Sequence, residues 1–188
     1  MPRISNPTTG TGDDGTTATS NGKRVPKDAP NIRTLGEIDE LNSVIGLTLS
    51  HHTISAKVVE SLRFVQNDLF HLGAEINALD TPDEITAHPC IEEHHIKHLE
   101  DTIAELYKEL VPLRNFTLPG GTPAAATLHL ARTLCRRAER EAVTLARTAK
   151  VRPTALQYLN RLSDALFVMA RWENQHTGTS EAIWDSHR

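Results

Sequence analysis

The run Thr9-Gly10-Thr11-Gly12-Asp13-Asp14-Gly15-Thr16-Thr17, followed by Lys23, Arg24 and Lys27, is the part of the chain whose residue types best suit chemistry. Glycine lets a backbone approach a ligand closely, hydroxyls and N–H groups donate to oxygen, and lysine neutralises negative charge; together they suit a segment that wraps a phosphate. The spacing is neither a Walker loop nor a dinucleotide fingerprint, because no Gly-Lys-Ser/Thr follows and no strand is expected before it. Composition alone equally suits a solvated arm. A second set lies far along the chain, where Arg132, Arg136 and Arg140 at i, i+4 and i+8 share one stripe of a helix, with Arg137 and Glu139 beside them. A row of guanidiniums is a bidentate platform for a polyphosphate. The alternative is a solvated face whose charge Glu139 and Glu141 offset. A third set, Asn160, Asp164, Phe167 and Arg171, repeats at i, i+4, i+7 and i+11. There Asn160 suits reading a base or sugar and Asp164 suits orienting an arginine or a bound group, unless both are structural hydrogen bonders. Glu37, Asp39 and Glu40 form an acidic patch, part of which is the ordinary preference of helix N-termini for carboxylates.

Positioning these groups falls to helices. Apolar residues recur at helical spacing over about 35–51, 55–79, 91–110 and 152–177, and an alanine-rich helix is expected from the Thr122-Pro123 cap to about residue 149. Residues 81–89 read as a loop, and Phe116-Thr117-Leu118-Pro119-Gly120-Gly121 ends a connection. The expected architecture is all-α: a five-helix up-and-down bundle (34–188) behind an extended N-terminal arm (1–33), one domain overall. Composition agrees, since 38% of the 188 residues are apolar but only 4% aromatic, which favours helices over a sandwich or barrel. The net charge of −4 provides no bulk attraction to nucleic acid or an acidic membrane, so an anionic ligand needs a local cluster of cations. Cys90 and Cys135 form neither a metal pair nor a disulfide framework, and Cys135 reads as a small core residue. No metal-ligand cluster is expected. With no secretory h-region and no membrane-length apolar run, a soluble cytoplasmic protein is expected.

Six motifs, spread in order over residues 8–174, resemble the PduO-type ATP:cob(I)alamin adenosyltransferases. They are Gly12-Asp13-Asp14-Gly15-Thr16-Thr17, Lys27-Asp28, Gly36-Glu37-Ile38-Asp39-Glu40-Leu41-Asn42, Phe116 to Gly121, Arg132 to Arg140, and Tyr158-Leu159-Asn160-Arg161-Leu162-Ser163-Asp164. The resemblance implies a cobalamin adenosyltransferase-like (ferritin-like) bundle that assembles as a homotrimer with active sites between subunits. It assigns Thr9, Gly10, Thr11, Gly12, Thr17 and Lys27 to an ATP-binding arm, completed by Arg136, Arg137, Glu139, Arg140 and Asn160. Asp39 and Arg132 match an acid and an arginine that pair across the subunit boundary. Phe116 matches an aromatic placed against the corrin, where it displaces the lower axial ligand, and Asp164 a carboxylate near the same pocket. The family usually has a basic residue where this chain has Gly10, and Asn6-Pro7-Thr8 departs from its usual pattern. Both changes bear on ATP affinity.

The reaction so implied transfers the 5′-deoxyadenosyl group of ATP to the cobalt of cob(I)alamin, with Mg2+ assisting, and gives adenosylcobalamin and triphosphate. Arg132, Arg136, Phe116 and Asp39 would carry it. The cofactor supplies the nucleophile, so neither a serine triad nor an acid–base pair is needed. A reductase and a cobalamin-dependent acceptor enzyme are the implied partners. Two rivals remain: a non-catalytic nucleotide- or adenosylcobalamin-binding carrier or sensor, and a ferritin-like di-metal site. The latter would use Glu92-x-x-His95 and Glu173-x-x-His176, with Glu60 and Glu75 recruited, although both pairs are expected to face solvent.

Overall fold

The computed structural model describes residues 8–79 and 88–187. Its elements are β1 (Thr16–Ala18), β2 (Arg24–Pro26), α1 (Pro30–Leu49), α2 (Ala56–Asn77), α3 (Glu93–Tyr107), α4 (Pro123–Leu145) and α5 (Pro153–His176). The five expected helices are all present. Most of the 81–89 loop, and Asn6 and Pro7 of the arm, lie outside the described residues.

Helix starts follow local chemistry. Ser55 caps α2 by accepting from Val58 N, and Thr122 caps α4 by accepting from Ala125 N at 3.0 Å. Proline opens α1, α4 and α5, where its fixed φ suits the first turn and its missing N–H would have had no partner. For that reason α1 begins at Pro30, five residues before its apolar period becomes visible at Leu35, and the 1–33 arm already contains helix. At the other ends, α3 stops at Tyr107 and α4 at Leu145, earlier than expected, and single turns follow both.

Helix α4 packs most closely on α5 and α1, α3 lies on α5, and α2 on α1. The small face of α4 (Ala131, Cys135, Ala138, Ala142) is buried as expected, which lets neighbouring backbones come close. Cys135 donates to Leu159 O, and burial pushes its thiol pKa up, so it is an inert core residue. Leucines such as Leu41, Leu62, Leu72 and Leu162 are fully buried, each contributing about 1.5–3 kcal/mol.

The last turn of α5 gathers the loops. Arg171 donates to Val111 O and pairs with Glu181; Trp172 Nε1 donates to Glu109. Glu173, wholly buried, accepts from Ser55 N and Oγ at the start of α2. Asn174 accepts from Thr122 N and donates to Gly120 O, both at 3.0 Å, while Gln175 accepts from Val111 N. One expectation is corrected here: Glu173 is buried rather than solvent-facing. Arg171, at the end of the Asn160–Asp164–Phe167 stripe, is a buried structural cation.

The buried Asn174 side chain leaves no room beside Gly121, where φ is +100° and a Cβ would lie 2.1 Å from Asn174 Oδ1. Gly121→Ala is expected to cost about 2 kcal/mol or more, roughly 4–8 °C in Tm; an unchanged Tm would show that this contact is not made. Buried His129 on α4 packs against Phe167, and burial, then the nearby Arg132 charge, holds its pKa below the usual histidine value. The unfolded chain therefore binds more protons at this site below about pH 6.5, so this contribution is present above that pH and lost as pH falls. His129→Gln should flatten the fall of Tm between about pH 7 and pH 5. Parallel Tm–pH curves for the two proteins would show that His129 does not contribute.

Candidate functional site

The glycine- and threonine-rich arm is a folded hairpin. Strands β1 and β2 pair antiparallel, with Thr17 opposite Val25, and Lys27 N donates to Gly15 O at 2.9 Å. Before β1 the chain winds through Thr9–Gly15 in tight turns, with Gly10 and Gly15 at φ +68° and +81°. A residue with a side chain rarely adopts that conformation. Asp14 Oδ1 accepts from Thr16 N and Oγ1, which draws its carboxyl below the usual range, and Arg24 pairs with it at 3.2 Å. Arg24 also donates to Thr11 O and Thr16 Oγ1, a tie between the turns and β2 that composition did not reveal. Lys27 lies across Gly12: a Cβ at that position would come within 3.2 Å of both its Nζ and Thr16 O. Thr9, Gly10, Thr11 and Lys27 are thus exposed around the turn, with Gly12 half-buried beside Lys27, and Thr17 follows in β1. Backbone N–H groups, hydroxyls and an ammonium together make an anion-binding surface.

On α4 the arginines divide into two kinds. Arg137 pairs with both Glu37 and Glu40 of α1, so two carboxylates neutralise it within the chain and it works as an α1–α4 clamp. Arg136 and Arg140 are exposed and have no carboxylate partner among the described residues; Arg140 donates only to Arg136 O. They border a cavity of about 430 Å3 together with Glu139, Thr144 and Arg147. Glu139 accepts from Asn160 Nδ2 at 3.1 Å, which joins the α4 and α5 stripes. Arg132 is half-buried with its guanidinium 5.4 Å from the Phe167 ring centre, a cation–π arrangement that leaves its N–H groups available. Asp164 is exposed and pairs with Arg161, which also holds Glu100; Asp164 and Phe167 line a cavity of about 530 Å3 between α3 and α5.

Phe116 stands 75% exposed on the loop before α4. The C-terminal tail holds that loop: Trp184 N donates to Phe116 O at 2.8 Å, Leu118 N to Ala182 O at 2.7 Å, and Thr117 bridges to Ile183. The Trp184 ring lies 6.2 Å from the Phe116 ring, edge toward face. This contact was not predicted, although Ile183-Trp184 is an apolar pair in a polar tail and was the available signal. Loop and tail together present Phe116, Leu118, Ile183 and Trp184 as an exposed apolar surface.

The chain brings together two clusters, the arm with Lys27 and the α4–α5 stripe. No hydrogen bond or ion pair among the described residues joins them. Asp39 likewise stays apart from Arg132: it lines an apolar groove of about 530 Å3 between α1 and α2, beside Leu69 and Phe70, and forms no ion pair among the described residues. The rival di-metal set is scattered. Glu92 and His95 form the α3 capping box, Glu75 accepts from Ile91 N, Glu173 holds Ser55, and His176 stacks on Trp172.

Residues 7–173 match the family model described as cobalamin adenosyltransferase. A cobalamin adenosyltransferase of Cupriavidus metallidurans is 40% identical over 186 residues, 99% of this chain and 97% of that protein. A corrinoid adenosyltransferase of Mycobacterium leprae is 39% identical, across 94% of this chain and 93% of that one. A variant of the PduO-type ATP:corrinoid adenosyltransferase from Lactobacillus reuteri, in complex with cobalamin and ATP, superposes with a TM-score of 0.87 at 31% identity, covering 95% of this chain and 99% of that one. Similarity of sequence and of fold thus runs over nearly the whole chain, through the arm, the arginine helix and the Phe116 loop, and the chain belongs to the cobalamin adenosyltransferase family.

Proposed function

We infer that this chain transfers the 5′-deoxyadenosyl group of ATP to the cobalt of cob(I)alamin, giving adenosylcobalamin and triphosphate. The observation that carries this reading is the pair Arg136 and Arg140, two exposed guanidiniums without a carboxylate partner among the described residues, beside an Arg137 that has two. The names of the relatives, and the solved relatives holding cobalamin and ATP, support the reading. In the reaction the reduced cobalt attacks C5′ of ATP, a Co–C bond forms, the C5′–O bond breaks, and the electron pair leaves on the triphosphate. The substrate is itself the nucleophile, so the protein's tasks are alignment, stabilisation of the leaving charge and exclusion of water.

Each cluster suits one task. Lys27, the Thr9–Gly12 turn, Arg136 and Arg140 surround the triphosphate, with a divalent cation such as Mg2+ on its oxygens. Glu139 and Asn160 complete the nucleotide pocket. Phe116, backed by Trp184, covers one face of the corrin and keeps water and the axial donor off the cobalt, with Asp164 at the margin of that pocket. Gly10 leaves the turn without the family's usual cation, and its φ of +68° is one that a basic residue would seldom adopt. Arg24 and Lys27 remain as cations beside that turn.

Within one chain the arm does not meet the arginine stripe, and Asp39 does not meet Arg132. A homotrimer resolves both: the arm of one copy would close over α4 of the next, and Asp39 would pair with its neighbour's Arg132. The exposed apolar groove around Phe70, which is 72% exposed, supplies surface for such an interface. No helix of the described chain is long and apolar enough to cross a membrane. The proposed setting is the cytoplasm, beside a cobalamin reductase and an acceptor enzyme.

The direct test is anaerobic. Purified protein with cob(I)alamin and Mg-ATP should convert to adenosylcobalamin in the visible spectrum; ligand binding without conversion would make the chain a carrier or sensor. Arg136→Ala should lower kcat/KM by about 10²–10³-fold, with the native mass of the assembly unchanged. Wild-type kinetics in that variant would remove the stripe from the site. Phe116→Ala should retain ATP affinity within about twofold while product formation from cob(II)alamin and a reductant falls by about tenfold or more. Equal rates with the wild type would remove Phe116 from the corrin face.

A further inference from the structure

Histidines and a buried acid crowd together where α2 faces α3, on residues that the adenosyl-transfer reading does not use. Asp68, His71 and His95 place donor atoms within 4.8 Å of one another, and the His71 and His95 rings meet edge to face at 5.4 Å. We propose that Asp68, His71 and His95 form a binding site for a divalent transition-metal cation of the zinc type, which clamps α3 to α2.

The donor set selects this class of ion. Two imidazoles and one carboxylate suit zinc and its neighbours, whereas Mg2+ and Ca2+ favour all-oxygen cages. Tetrahedral zinc with ligands at about 2.0–2.2 Å needs donors roughly 3.4 Å apart. Small side-chain rotations therefore close the site from its present spacing. Asp68 is already oriented for the task. Its Oδ2 accepts from the fully buried Tyr158 hydroxyl at 3.1 Å, leaving Oδ1 directed at His95 Nε2, 3.7 Å away and beyond hydrogen-bond range. A hydrogen bond to the second oxygen is what fixes a metal-ligating carboxylate.

Two nitrogens in this cluster are otherwise unexplained. His71 Nδ1 and His98 Nε2 are buried without a hydrogen-bond partner among the described residues. Such groups are uncommon and costly, and coordination removes the cost. His98 lines the neighbouring cavity, its ring tilted against Phe64 with the centres 4.8 Å apart. A cavity of about 550 Å3, lined also by Asn67 and His94, opens beside the cluster and admits the ion.

Binding has one structural consequence. His95 Nδ1 accepts from Glu92 N at 2.9 Å, so the proton of the neutral ring sits on Nε2. Coordination at Nε2 moves that proton to Nδ1 and ends the Glu92 bond, and no net proton leaves the ring. The cation thereby exchanges half of the α3 capping box for a link to α2, a helix that α3 does not pack against closely.

Equilibrium dialysis of the chelator-stripped full chain with Zn2+, in the absence of nucleotide, tests the site. One Zn2+ per chain is expected, with at least tenfold weaker binding in His71→Ala and His95→Gln. The Co2+ form of the wild type should show the intense ligand-field bands of a low-coordinate nitrogen–oxygen site, absent from His71→Ala. Tyr158→Phe, which keeps the ring in the core, should weaken binding by about 10-fold or more. Absence of stoichiometric Zn2+, or full affinity in both histidine variants, would overturn the proposal and leave Asp68 and His95 as a metal-free pair.

Discussion

The final turn of α5 is the constraint on which the rest of the molecule depends. Five consecutive side chains, residues 171–175, together bond four separate parts of the chain: the connection after α3, the C-terminal tail, the start of α2 and the Gly120–Thr122 turn. Five residues cover more than one turn of helix, so their side chains radiate in all directions and meet partners on every side. Because Arg171, Glu173 and Asn174 are almost wholly buried, each of these bonds also satisfies a polar group that would otherwise be costly to enclose. Asn174 is the clearest instance, for it sets the turn from which α4 starts and so the position of both the Phe116 loop and the arginine stripe.

Charge is divided on the same principle. Arg137 is neutralised by α1 and fixes the α1–α4 contact, whereas Arg136 and Arg140, a short way round the same helix, form no ion pair among the described residues. Paired and unpaired cations on one helix separate a structural task from a ligand-binding one. Unpaired guanidiniums at the surface are tolerable because water solvates them, and a polyphosphate can replace that water with bidentate contacts. The arm follows a complementary rule: the Asp14–Arg24 pair organises the turn and leaves the Lys27 ammonium over Gly12.

The α2–α3 side of the bundle is held differently. Its helices meet through side chains, with Lys57 reaching Glu105 and Glu109, Ile91 N donating to Glu75, and the histidine cluster on the partner faces. Burial raises the Glu75 carboxyl above its usual range, and the Ile91 N–H and the Arg152 charge only partly offset this. Asp68, Glu75 and His95 are thus enclosed polar groups at this seam, which contrasts with the alanine-lined α4 contacts.

The sequence by itself determined the five helices, their order and the small-residue face of α4, since periodicity, proline and N-caps are local properties that tertiary contacts here reinforce. It also determined the family, because motif order survives in one dimension. It placed the arginine stripe correctly on one helix but could not separate Arg137 from Arg136, as that distinction lies in Glu37 and Glu40 from about a hundred residues away. The hairpin in the arm was hidden because strands of three residues carry too little alternation to register. Tertiary structure alone decided that Glu173 and Arg171 are buried, that Trp184 backs Phe116, and that Asp68, His71 and His95 converge. Each is a contact between distant segments, set by how the helices pack rather than by spacing along any one of them.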